Sequence, residues 1–109
     1  MEWVRTYGPA DSLADFLNDM DIDTSGNVYV TGRIAVNSQN TNYATVKYNS
    51  AGVQQWVATY NGIGSNSIDE AVALRVDKAG NVFVTGYSEA RGFLSDTYVT
   101  IKYNTNGVM

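Results

Sequence analysis

The chain has 109 residues, 44% of them hydrophobic, and a net charge of −4, which supplies enough apolar material for an ordinary globular core and excludes a disordered polymer. The mild acidic balance gives nucleic-acid phosphates no footprint, and no stretch approaches the roughly 20 apolar residues needed to cross a bilayer, so neither nucleic acid nor membrane is an expected partner. Cysteine and histidine are both absent; that removes disulfides, thiolate chemistry, the commonest general base and the commonest transition-metal ligand, and no cofactor or metal is expected.

Met1-Glu2-Trp3-Val4-Arg5 does not open a signal peptide. Within this start, Glu2–Tyr7 reads as a strand carrying Trp3, Val4 and Tyr7. The next predicted strands are Phe16–Ile22, Asn27–Ile34, Tyr43–Asn49 and Val53–Tyr60. They rest on two-residue alternation, as in Val28 and Val30 against Tyr29 and Thr31. Eight tyrosines and many Val and Thr residues favour strands over helices. Asp23-Thr24-Ser25-Gly26 and Asn49-Ser50-Ala51-Gly52 read as tight turns. An Asx side chain bonds back to the backbone at the start, and glycine takes the left-handed position at the end.

The second half of the chain repeats the first. Trp3-Val4-Arg5-Thr6-Tyr7 recurs as Trp56-Val57-Ala58-Thr59-Tyr60, and Asp23 to Gly32 recurs as Asp77 to Gly86. Tyr43 to Val53 recurs as Tyr98 to Val108. The period is about 54 residues and drifts slightly, which places the insertions in loops such as Asn37–Asn42 and Glu89–Asp96. The second set of strands is therefore Glu70–Val76, Asn81–Ser88, Thr97–Asn104 and Val108 onward. The first repeat spans residues 1–55 with its extra strand at 2–7, and the second spans 56–109 without most of its outer strand. Glu2–Tyr7 is a copy of the strand missing at the other terminus.

In these motifs the chain resembles the SBBP family of bacterial β-propeller repeats. The pattern is Asp-x-x-Gly-Asn-Val-Tyr-Val-Thr-Gly, then Tyr-x-x-x-Lys-Tyr-Asn, then a Trp-containing strand; Asp15 and Asp69 stand where the family has an acidic residue before its first strand. The resemblance implies an all-β fold of two four-stranded antiparallel blades. It also implies a secreted or cell-surface location and no shared catalytic set. Closed propellers have roughly four to eight blades, so two blades are expected to associate. The expected partner is the chain itself: a head-to-tail ring of three or four copies, each passing Trp3, Val4 and Tyr7 to a neighbour.

Function is expected to be that of a non-enzymatic scaffold or interaction module. Asn37, Asn40, Asn42, Arg91 and Phe93, in the variable loops, are candidates for contact with a protein or glycan. Trp3 and Trp56 with Tyr7 and Tyr60 suit either a carbohydrate-stacking platform, as in a lectin-like propeller, or packing between blades. A glycoside-active enzyme would need two carboxylates roughly 5 to 9 Å apart, drawn from Asp15, Asp19, Asp21, Asp69 and Glu70. Asp21 to Gly26 begins like a calcium loop, but Gly32 stands where that loop needs a bidentate Glu. A hairpin turn is the better reading.

Overall fold

The computed structural model describes residues 2–8, 15–37, 40–62, 67–90 and 96–109. Its regular structure is β1 (Phe16–Ile22), β2 (Val28–Asn37), β3 (Asn40–Tyr48), β4 (Gln54–Tyr60), β5 (Ser67–Val76), β6 (Val82–Ala90) and β7 (Asp96–Tyr103). No helix occurs among the described residues.

Turn chemistry fixes the hairpins. Asp23 Oδ1 accepts from the backbone N–H of Ser25 and of Asn27, both at 2.9 Å, while Gly26 closes the turn at φ 85°. Asp77 holds Ala79 and Asn81 in the same way, Asn49 holds Ala51 and Val53, and Asn104 holds Asn106 and Val108. Each of these turns has its glycine at positive φ, a conformation that costs other residues strain.

The strands form an open antiparallel sheet in two parts. One part is β1-β2-β3-β4, the other β5-β6-β7, and a single parallel bridge between Thr41 and Ile68 joins them. The inner strands carry matching bulges, between Leu17 and Asp19 in β1 and between Ala71 and Ala73 in β5. The two parts then pack face against face. Tyr29 and Tyr43 from the first meet Ala71, Leu74, Val82, Val84, Ile101 and Tyr103 from the second, with Trp56, Ala58 and Tyr60 closing the edge.

The matched Thr-Gly pairs have a steric cause. A Cβ on Gly86 would run into the Glu70 carbonyl oxygen and stand 2.8 Å from the Tyr43 hydroxyl, and one on Gly32 would run into the Phe16 carbonyl. Only glycine lets the inner strand approach this closely.

Several boundaries differ from expectation, among them the start of β5 at Ser67 instead of Glu70. β2 runs on to Asn37 and β3 begins at Asn40, so the loop expected over Asn37–Asn42 is largely ladder. β6 likewise continues to Ala90. Ladder bonds join backbone groups whatever the side chains, so pairing extends through residues that differ between the copies. Val108 and Glu2–Tyr7, both expected as strand, carry no ladder. The outer side of β3, the place a copy of β4 would take, is already filled by β4 itself.

Candidate functional site

The repeat gives the motif residues of one unit counterparts in the other, and several of these pairs differ sharply in exposure. Tyr43 is 0% exposed, whereas Tyr98 is 92% exposed; Leu74 is 0% exposed, whereas Met20 is 47% exposed. Tyr29 is buried and Phe83 is not. The first member of each pair lies in the joint between units, while the second lies on one of two open faces. One open face belongs to the first unit, with Phe16, Leu17, Met20 and Ile22. The other belongs to the second unit, with Val72, Phe83 and Tyr98. Beside the first is a groove of about 290 Å³ whose walls include Val28, Val30, Gly32, Ala44, Val46 and Tyr48.

Trp3 and Trp56 have the same surroundings in different units. Trp56 Nε1 donates to the Thr105 carbonyl at 3.0 Å, its ring covers Gly107, and Tyr103 lies 5.9 Å away. Trp3 Nε1 donates to the Ser50 carbonyl at 3.1 Å, its ring covers Gly52, and Tyr48 lies 5.9 Å away. Each indole therefore has a face against a turn glycine, which is the packing alternative of the sequence reading. Val4 and Tyr7 are exposed. The N-terminal segment thus lies on the first unit as β4 lies on the second, but pairs with no strand among the described residues. β7, the counterpart of β3, is bonded to β6 and to no other described strand.

The carboxylates are engaged in holding the fold. Asp69 accepts from the Gly62 N–H at 2.6 Å, Ser67 Oγ at 3.2 Å and Ser88 Oγ at 2.5 Å. Asp15 accepts from the Ala35 N–H at 3.1 Å. Asp19 and Asp21 reach across the joint to the N–H groups of Leu74 and Val76, at 2.8 and 2.9 Å. Glu70 pairs with Arg33 at 2.9 Å. Burial would raise the Asp23 carboxyl, but bonds from Asn27, Tyr29 and Ser25 outweigh it and hold it below its usual value. Asp77 is likewise held low, chiefly by the Asn81 side chain. Burial pushes the Tyr29 and Tyr43 hydroxyls up, helped by Asp23 and Asp69 respectively.

Asp19 gives a pH test of the joint. The Leu74 N–H, with Met20 and Arg75, holds its carboxyl below the ordinary 3.8 despite partial burial. Its stabilisation is therefore complete above 3.8 and is lost as pH falls through the lower folded value. Denaturant melts of the native chain and Asp19→Asn should differ most near neutral pH, and the gap should close in strong acid. A gap independent of pH would contradict this.

Of the loop candidates, Asn40 and Asn42 lie on β3, Asn40 buried and Asn42 half-buried, each with an Oδ1 that meets no hydrogen-bond donor. Asn37 ends β2 and is exposed. Arg91 and Phe93 lie outside the described residues. Among the described residues no group of acidic side chains is arranged to hold a metal ion. Sequence reading missed Asp19 and Asp21 as bridges across the joint. Their alternate spacing on one strand is the available signal, but the sequence equally presents both as candidate paired carboxylates and Asp21 as the start of a calcium-like loop.

Comparison with known proteins agrees with the motif resemblance. Residues 2–38 match the family model of SBBP, the beta-propeller repeat. That segment holds the N-terminal strand copy, β1 and β2, and β5 and β6 repeat its second part. No curated protein matches the chain.

Proposed function

We propose that this beta-propeller repeat protein is a non-enzymatic scaffold, completed by head-to-tail association of three or four copies into a ring of six or eight blades. The observation that carries this reading is the pairing of two unfilled features. Among the described residues, β7 has an edge bonded on one side only, and Glu2–Tyr7, a sequence copy of the strand that fills the equivalent edge of β3, has no ladder partner. Edges of this kind recruit strands, and a contact between unlike surfaces closes as a ring when its rotation allows. In such a ring each copy passes Glu2–Tyr7 to the β7 of its neighbour, and the central channel and loop faces are presented to a protein or glycan.

The engagement of Asp15, Asp19, Asp21, Asp23, Asp69 and Asp77 in turns and joints favours the scaffold over a carboxylate enzyme. Light scattering across a concentration series tests the reading. A particle of three or four chain masses is expected; a folded monomer at every concentration would overturn it.

A further inference from the structure

The internal joint shows how one unit seats on the next, and shifting its contacts by one repeat specifies the joint between copies. Inside the chain, the Tyr43 hydroxyl passes over Gly86 and donates to the Val99 carbonyl at 3.2 Å. The counterparts are Tyr98 on one open face, and Gly32 with the Ala44 carbonyl on the other. The Ala44 carbonyl already accepts from Thr31, as the Val99 carbonyl does from Thr85, so the acceptor is presented alike. Resting on the ring reading above, we infer that the groove beside Gly32 is the docking site for Tyr98 of a second copy of this chain, and that this joint is apolar where the internal one is charged.

The change of character follows from the residues that differ between units. Besides the Tyr43 and Thr41 contacts, the polar bridges across the internal joint include Arg33 to Glu70, Asn18 to the Ala71 carbonyl at 2.7 Å, Asp19 to Leu74 and Arg75, and Asp21 to Val76. Shifted by one repeat, Tyr87 faces Phe16, Val72 faces Leu17, Ala73 faces Met20 and Asp21, and Arg75 faces Ile22. The exposed apolar side chains of β1 thus fall where the polar bridges are lost, with Val72 opposite them. A lone partner for either face would have to reproduce this pattern, and the chain's own opposite face already carries it. The mismatch also sets register: the face of the second unit lacks the carboxylates that a charged joint would need, so the two kinds of joint must alternate around the ring.

Two substitutions at exposed positions block one face each. Tyr98→Ala removes the plug, and Met20→Lys would place an unpaired ammonium in the groove-side face; neither side chain has a buried role within its own chain. Each variant should melt like the native chain yet associate about tenfold or more weakly. Mixed in equal amounts, the two variants retain one intact plug and one intact groove between them, and should give a heterodimer of two chain masses that grows no further. If the native chain assembles and Tyr98→Ala assembles equally well, the docking inference fails and the ring reading survives. If each variant alone forms a stable dimer, the contact is between like faces and the inference fails. If the native chain stays monomeric, the ring reading fails and takes this joint with it.

Discussion

Replacing Asp69 with alanine is expected to cost the chain about 3 kcal/mol or more of folding stability, read by denaturant unfolding at neutral pH. The carboxylate is fully buried and accepts from Gly62, Ser67 and Ser88. Its backbone N–H donates to Thr41 Oγ1 at 3.1 Å, and that hydroxyl donates in turn to the Asp69 carbonyl. These bonds tie Gly62, just past β4, to the inner strand β5 and to β6, beside the Thr41–Ile68 bridge. Alanine would leave three donors without their acceptor, two of them on the buried Ser67 and Ser88. Asp15→Ala, at the half-buried counterpart, should cost only about 1 kcal/mol, because water reaches the groups it frees. Equal losses at the two positions would show that the burial of this cluster does not set its contribution.

The recurrence of an acidic residue at Asp15 and Asp69 was legible in the sequence, and so were the turns and β1. Those features depend on local chemistry: an Asx oxygen, a glycine at positive φ, or two-residue alternation leaves its mark within a few residues. The hairpin extensions through Ala35–Asn37 and Glu89–Ala90 left no mark, because backbone pairing imposes no side-chain type there. The bulges at Asn18 and Val72 were hidden for the opposite reason. An extra residue shifts the alternation, and in β1 the apolar Leu17, Met20 and Ile22 then read as an irregular strand.

The functional surfaces were legible only in part. The split strand was visible by comparing the two copies of Trp-Val-x-Thr-Tyr. That Asp19 and Asp21 bridge to the second unit was not, since Ala73 and Arg75 replace them there and the copies offered no recurrence to follow. Exposure supplied what the sequence lacked. Tyr43 and Tyr98 are the same residue in the same motif, and only the packing separates a core side chain from a docking one.

Trp3→Ala is expected to weaken assembly by about 2 kcal/mol or more, roughly thirtyfold in dissociation constant, while lowering the folding stability of the single chain by only about 1 kcal/mol. The argument turns on which surfaces the indole touches. Its ring lies on Gly52 and near Tyr48 of its own first unit, and Nε1 holds the Ser50 carbonyl. It therefore positions the segment rather than the neighbour: in the proposed ring, Glu2–Tyr7 moored by Trp3 would offer a backbone edge in fixed orientation to the β7 of another copy. Without the ring the same edge must be ordered at the moment of docking, and association bears that entropy. Trp56→Ala is the internal control, because β4 is already paired with β3 and its tryptophan joins Tyr29 and Tyr103 in the core. There the loss should fall on folding, about 3 kcal/mol. Sedimentation for assembly and thermal melts for folding separate the two effects, and a Trp3→Ala chain that assembles as the native one does would contradict a moored, donated strand.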